Sequence, residues 1–395
     1  MKKGWQTKTL GEVLEKTETV NPLQSPKTEF DYIDVSSVSN TTFQIEETQR
    51  LKGKDAPSRA RKVVRTNDII FATIRPTLQR IAVVPEHLDM QVCSTGYFIL
   101  RPKPGIDHRF VFYSLFTENF IGHMESLQKG ASYPAVTDGD VRAQEIPVPP
   151  LAEQQRIVGL LDEAFEGLAT AKANAEKNLQ NARALFESHL QSVFTQRGPG
   201  WVDRSLVSLS AHFFDSAHRT PKYQEEGIPA LRPRDVVNGQ LNFADAACVS
   251  EEEFEVQSKR YKPAPGDIVY SRELSYGWAA LLPEEPRVCL SQGMCVFRPN
   301  REVNSAFLLY VLNGPAGREQ ATRVAVGAAH PHINLGDIKS YSIPLPSFDE
   351  QKQIAHKFDA LATETQRLAR LYERKHAALE ALKKSLLHQA FNGEL

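Results

Sequence analysis

Seven cations crowd the sixteen residues from Arg50 to Arg65: Arg50, Lys52, Lys54, Arg59, Arg61, Lys62 and Arg65, against the single acid Asp55. Side chains of this sign and density can neutralise phosphates, and counterion release would then make binding salt-dependent. A solvated basic loop is the competing reading. The whole chain carries a net charge of −1, so bulk charge neither demands nor excludes a polyanionic partner, and clustering matters more. Catalytic chemistry is harder to find. An adenine methyltransferase needs a glycine-rich cofactor loop and an Asn/Asp-Pro-Pro-aromatic motif. The nearest string, Val148-Pro149-Pro150-Leu151, lacks both the polar residue and the aromatic. No GxxxxGK(S/T) phosphate loop occurs, so ATP hydrolysis is not expected. His330 and His332 could ligate a metal, but the sequence offers no third ligand. Cys93, Cys248, Cys289 and Cys295 have neither metal nor disulfide spacing, and two of them fall at matching points in apolar runs, where a buried thiol is the default. The expectation is a binding protein without a catalytic residue, metal or cofactor of its own.

The elements that must position these residues are written twice. Gly130 to Asp162 reads GASYPAVTDGDVRAQEIPVPPLAEQQRIVGLLD, and Gly327 to Asp359 reads GAAHPHINLGDIKSYSIPLPSFDEQKQIAHKFD, a gap-free echo at an offset of 197 residues. Such a period is too long for a solenoid; it is a domain plus a helix, present twice. Gly4-Trp5 returns as Gly200-Trp201, Val92-Cys93 as Val288-Cys289, and Arg101-Pro102 as Arg298-Pro299. Residues 17–65 and 215–262 share almost nothing. Two copies that keep a scaffold while reading different ligands would look like this, and so would an old duplication that drifted.

After each matched proline-rich boundary the chain turns helical. Residues 151–196 and 348–391 contain no proline. In the second stretch Ile354, Phe358, Leu361, Thr365, Leu368, Tyr372, Lys375, Leu379, Leu382 and Leu386 follow spacings of four and three, a coiled-coil seam. The first stretch carries an Ala-rich counterpart from Ile157 to His189. The flanking domains read as α+β with mixed, mostly antiparallel sheets. Expected strands include 68–74, 80–84, 97–100, 267–271 and 295–297, and expected helices include 109–120 and 305–312. The boundaries are a first domain at 1–150, a helix at 151–196, a second domain at 197–346 and a helix at 347–395. No run approaches the ~20 apolar residues of a membrane span, and the N-terminus has no apolar stretch behind its lysines, so a reducing cytoplasm is the expected compartment.

The order domain–helix–domain–helix, with IPVPPLAEQQRIV and IPLPSFDEQKQIA leading into the helices, resembles the specificity subunit of type I restriction-modification systems over the full length of the chain. That resemblance implies a non-catalytic subunit in which each domain is a target recognition domain reading one half of a split, asymmetric DNA sequence. It implies that the helices pack antiparallel in a pseudo-two-fold arrangement and act as a ruler. It also implies docking of DNA adenine methyltransferase subunits, two of them, and of restriction subunits; S-adenosylmethionine, ATP and Mg belong to those partners. A coiled-coil adaptor that never meets DNA is the alternative.

Base readout needs Arg, Lys, Asn or Gln at base edges, while other cations hold phosphates. In the first domain the DNA-binding candidates are Arg59, Arg61, Lys62, Arg75, Arg80, Lys129, Ser132 and Tyr133. Arg75 and Arg80 could instead pair with local acids. The second domain lacks the basic cluster and has the acidic run Glu251-Glu252-Glu253. Its candidates are Arg232, Arg234, Arg272, Tyr276, Trp278, His330 and His332, with Tyr276 and Trp278 readable equally as core aromatics. Phe165, Leu179, Phe186 and Leu387 lie outside the expected seam and are the candidates for partner binding.

Overall fold

The computed structural model describes residues 2, 4–237 and 239–395. The chain forms two compact units, and the first is not continuous in sequence: it joins the residues up to Ala175 to Glu373–Leu395, while the second holds Glu176–Tyr372. Each of two 45-residue helices, Leu151–Thr195 (the first rod) and Phe348–Asn392 (the second rod), therefore begins in one unit and ends in the other. At ~1.5 Å per residue each is about 68 Å long.

In the first unit, strand Ile69–Ala72 lies between Ile81–Val83 and Tyr97–Leu100, antiparallel to both. One face packs Ile69, Phe71, Phe98 and Leu100 against Val111 and Phe120, and the other packs Ile70, Tyr97 and Ile99 against Ile33, Val64 and Cys93. Burial on both faces explains why this strand reads as an unbroken apolar run. A second sheet orders Gln49–Lys52, Glu29–Ile33, Val92–Ser94 and Ala60–Val63, with one parallel pair, between Glu29–Ile33 and Val92–Ser94. The second unit repeats the plan. Ile268–Ser271 lies between Met294–Pro299 and Ala279–Leu281, and a second sheet again has one parallel pair, Ile228–Leu231 with Cys289–Leu290.

Two expectations need correction, and the acidic run finds its structural place. The helix expected over 109–120 is two, His108–Ser114 and Glu118–Leu127, because Thr117 adopts extended backbone and caps the second with its hydroxyl. The acidic run Glu251-Glu252-Glu253 is the first turn of helix Glu251–Gln257, capped by Ser250, where carboxylates offset the positive helix end. The heptad seam also drifts. Lys375 and Leu382 are exposed, and His376 and Lys383 take the more buried places; in the first rod Asn178, Leu185 and His189 are exposed while Leu179, Phe186 and Leu190 turn inward. Both rods insert an extra spacing of four at equivalent points, after Ala175 and after Tyr372. A straight α-helix has 3.6 residues per turn and outruns a 3.5-residue repeat, so a four-residue stutter restores the contact face.

The repeated Glu-Gln motif has a structural role in both copies. Gln154 Oε1 accepts from the Asp107 amide at 2.8 Å, and its Nε2 donates to the Pro149 carbonyl at 2.8 Å. Gln351 repeats this with the Asn304 amide and the Pro346 carbonyl at 2.8 and 3.0 Å. Both glutamines are buried, so each ties the start of a rod to its domain with satisfied polar groups. Tyr113 donates to Asp162 and Tyr310 to Asp359, a second matched clamp between domain and rod. Glu153, held by Arg156 and then Lys2, has its carboxyl lowered to about 2.

Candidate nucleic-acid interface

Strand Ile69–Ala72 ends at Thr73, whose amide donates to the Gly96 carbonyl at 2.9 Å and whose carbonyl accepts from the Val136 amide at 3.0 Å. Those two bonds bring three loops to one end of the first unit. One is the turn 73–80, the second is the Thr95-Gly96 turn, and the third is Lys129–Ala135, closed by a reciprocal backbone pair at 2.9 Å. Arg59 joins them, since its carbonyl accepts from the Thr95 amide at 2.8 Å. Gly130 stands at φ 103° in the third loop, where a Cβ would lie 3.1 Å from the Tyr133 carbonyl oxygen. Glycine is needed there for both reasons.

Arg75 heads the first of these loops in the left-handed region, φ 50° and ψ 57°, and Gln79 closes it at φ 53° and ψ 43°. The Arg75 amide donates to the Pro134 carbonyl at 2.7 Å, and its guanidinium lies 5.2 Å from the Tyr133 ring centroid and 3.3 Å from the Ser132 carbonyl oxygen. Tyr133 is 72% exposed, which is unusual for a large aromatic unless it has a surface to meet. Arg59, Arg75, Lys129, Ser132 and Tyr133 are all exposed at this end.

The other first-unit candidates are used internally. Lys62 Nζ is held by the Tyr97 carbonyl at 2.6 Å and by Asp138 at 3.0 Å. Arg80 braces the carbonyls of Val35, Ser36 and Val38, and Arg61 bonds the Ala60 carbonyl at 2.9 Å. Of the cluster's remaining members, Arg50 pairs with Asp31 at 3.0 Å and Arg65 with Glu18 at 2.5 Å. The basic segment is thus dispersed over the two opposite edge strands of the second sheet and the chain beside them, with Arg50, Lys52, Lys62 and Arg65 matched by acids.

The second unit builds the same end from different side chains. The Arg272 amide donates to the Gly293 carbonyl at 2.7 Å and the Ile333 amide to the Arg272 carbonyl at 2.9 Å, the counterparts of the two bonds at Thr73. Val326 and His332 close the matched loop by a reciprocal pair at 2.9 Å, with Gly327 at φ 93°. Leu274 takes the place of Arg75: φ 57°, its amide donating to the Pro331 carbonyl at 2.9 Å, its side chain 60% exposed. Gly277, φ 84°, stands where Gln79 does. Arg234 and His330 are exposed, and Ser275 Oγ ties the loop to the Pro233 carbonyl at 2.8 Å. His332 Nδ1 lies 3.3 Å from the His330 carbonyl oxygen, and no metal-ligating group of three occurs among the described residues.

Four candidates in this unit have structural posts. Arg272 is buried in an ion pair with Asp215 and bonds the Ile333 carbonyl at 3.1 Å; Arg232 holds Asp235 at 2.8 Å and the Asp245 carbonyl at 2.6 Å. Tyr276 and Trp278 are half-buried against the core, with the Arg318 guanidinium 4.1 Å from the Trp278 ring centroid. Sequence reasoning missed Leu274, because an exposed leucine gives no signal until its backbone is seen to repeat that of Arg75.

The partner-binding candidates are corrected too. Leu387 is buried with Ile157, Leu161 and Phe391, Phe165 packs edge-on to Tyr113, and Phe186 packs on Phe358. Leu179 lies half-buried on the drifted seam. Leu387, Phe165 and Phe186 serve the chain's own packing. The most exposed large apolar positions of the rods are instead Leu185 at 68% and its repeat counterpart Leu382 at 47%, with Leu151, Leu160, Phe348 and Leu371 less exposed.

The family model for the type I restriction modification DNA specificity domain matches residues 2–179 and 215–373, and the chain belongs to that family. Among its relatives, the EcoBI specificity subunit of Escherichia coli is 22% identical over 341 residues, covering 79% of this chain and 70% of that protein. The MjaVIII specificity subunit of Methanocaldococcus jannaschii is 23% identical over 311 residues, covering 73% and 71%. The HsdS subunit from Thermoanaerobacter tengcongensis, solved as a crystal structure, is similar over 100% of this chain and 98% of its own, with a TM-score of 0.70 and 29% identity. A chain solved in a study of complex assembly and conformational transition of the type I restriction-modification system reaches 0.86 at 29% identity, covering 100% and 99%. This chain is therefore a specificity subunit of that class, and DNA target recognition is its work. No helix among the described residues is long and apolar enough to cross a membrane.

Proposed function

We propose that each unit reads one half of an asymmetric, bipartite duplex target and that the rods carry the subunits acting on it. The observation behind this reading is the matched end of the two units, built on the same backbone bonds but offering Arg59, Arg75, Lys129 and Tyr133 in one and Arg234, Leu274 and His330 in the other. A shared scaffold with unlike tips suits two different half-sites. Rod length then sets the gap between them. The exposed, repeat-related Leu185 and Leu382 suit one methyltransferase subunit each, and S-adenosylmethionine, ATP and Mg act on the partner chains. The chain itself positions DNA and transfers no group.

Replacing residues 1–150 by the first domain of another family member should change one half of the methylated sequence and leave the other intact. A change in both halves, or in neither, would refute modular reading. An adaptor that never meets DNA predicts no duplex binding by the assembled complex in a gel-shift titration at low salt.

The placement of the cations sharpens a second expectation. Arg59 and Lys129 are exposed, whereas Lys62 is held by Asp138. Alanine at Arg59 and Lys129 should weaken binding to all sequences alike and reduce the salt slope by roughly one unit per lost phosphate contact. Lys62→Ala should leave the slope alone. If the slope is steepest-dependent on Lys62 instead, the phosphate-binding face lies elsewhere.

A further inference from the structure

The two left-handed loop heads are equivalent in backbone and opposite in chemistry. Arg75 and Leu274 each follow the strand that runs through the middle of their unit, each donates its amide to the proline carbonyl of the glycine-headed loop, and each has φ of 50–57°. Left-handed backbone is uncommon for any residue but glycine, asparagine or aspartate and costs roughly 1 kcal/mol or more, so a long side chain held there in both copies needs a reason beyond the turn. Glycine would make the same turn without strain. What a non-glycine residue adds at this point is a side chain projecting from the loop.

Each side chain is also left available. Arg75 has no carboxylate partner among the described residues; it is steadied only by the Tyr133 ring and the Ser132 carbonyl. Most other arginines of the first unit are bound to acids or carbonyls: Arg50, Arg65, Arg101, Arg109 and Arg156 to acids, Arg61 and Arg80 to carbonyls. A guanidinium stacked on an aromatic loses little further freedom on binding, and Arg75, exposed, keeps N–H donors beyond the one spent on Ser132. Leu274 is 60% exposed with no polar end to justify it.

We infer that Arg75 and Leu274 occupy one reading position, met by a guanine in the half-site of the first unit and by a thymine methyl in that of the second. Arginine matches the N7 and O6 acceptors of guanine in the major groove, and an apolar side chain matches the thymine 5-methyl group. This inference rests on the proposed bipartite reading and adds the specificity-determining residues.

The test exploits the repeat. Arg75→Leu places in the first loop the residue that the second already tolerates at this backbone geometry. Glu273→Ile/Leu274→Arg does the converse, with isoleucine because Ile74 stands there in the first unit and a glutamate would pair with the new arginine. Arg75→Gly removes the side chain and relieves the backbone, so loss of folding cannot mimic loss of reading. Each variant, assembled with its methyltransferase subunits, is titrated at fixed salt against duplexes varied one base pair at a time.

Arg75→Leu and Arg75→Gly should reduce discrimination at a single guanine of one half-site by about tenfold to a hundredfold, with the other half unchanged. The double variant should gain a guanine preference at one base pair of the second half-site in place of thymine. Uniform weakening with unchanged preferences would overturn the inference and make Arg75 a phosphate contact. A loss of preference spread over both halves would overturn it as well. If the unaltered complex itself showed no bipartite preference, the proposed function would fail instead, so the two failures are distinguishable.

Discussion

Phe391→Ala is expected to destabilise the first unit by about 3–5 kcal/mol and leave the second unit's stability in place. Phe391 lies near the end of the sequence, yet its ring centroid is 4.8 Å from that of Phe110, and it is buried with Trp5, Ile157, Leu161 and Leu387. Removing the ring leaves a cavity among residues that the rod and the domain already hold in place, so little collapse can refill it. The repeat supplies the control. Phe194, 197 residues earlier, lies 5.7 Å from Phe307 and 6.4 Å from Trp201, and belongs to the second unit's core. Phe194→Ala should therefore weaken the second unit and spare the first. Hydrogen exchange under native conditions separates the two: peptides over 69–72 and 97–100 should lose protection in Phe391→Ala, and peptides over 268–271 and 294–299 in Phe194→Ala. Protection lost equally in both units by either variant would mean that they fold as one cooperative body, contrary to the separate cores.

Much of this architecture was legible because duplication turns one sequence into two readings of the same fold. The prolines at 149–150 and 346 marked the helix starts, since a proline-bounded stretch without internal breakers has one regular outcome. The apolar runs around Ile69, Tyr97 and Ile268 gave the central strands. Periodicity alone could not give the seam drift at Ala175 and Tyr372, because a strict heptad and a stuttered one differ by one residue and both rods are rich in alanine. The site was legible in part. Lys129–Tyr133 and its counterpart were found as small-residue loops, and Arg75 as a cation beside a strand. The Arg50–Arg65 cluster reads as free charge in the sequence because Asp31, Glu18 and Asp138 lie elsewhere along the chain and become ion-pair partners only after folding. Arg272 follows the same rule, its partner Asp215 lying 57 residues away, whereas Arg232 is held by Asp235 only three residues on, through the turn they share. A charge is read from sequence; its partner is read from the fold.

The matched arginines Arg101 and Arg298 show how far equivalence in the repeat carries into energetics. Arg101 grips the Asp68 carboxylate at 2.9 and 2.8 Å and also reaches Glu18 at 2.6 Å. Its side chain is only 9% exposed and that of Asp68 2%. The Asp68 hydrogen bonds, and behind them Glu18, push the Arg101 guanidinium further up from its already high range. Truncation to Arg101→Met would leave a buried carboxylate with the Arg65 amide, 2.8 Å away, as a remaining donor. Breaking one side of a buried pair costs about 3–5 kcal/mol, most of it the desolvated charge left behind. Arg298 holds Asp267 at 2.7 Å, but Asp267 also accepts from the Tyr261 hydroxyl and the Ala264 amide, each at 2.8 Å, and the Arg298 side chain is 37% exposed. Asp267 is itself fully buried, but two further donors remain to it where Asp68 keeps one, so Arg298→Met should cost only about 1–2 kcal/mol. Asp68 immediately precedes the strand whose far end leads to Arg75, so the larger loss falls on the unit whose Arg75 loop follows that strand. Urea titrations of the two single variants should show this order, and Arg101→Met/Asp68→Asn should recover most of the lost stability by removing the stranded charge. Equal losses at the two sites, or no recovery in the double variant, would show that packing of the arginine stem, rather than the buried charge, sets the cost.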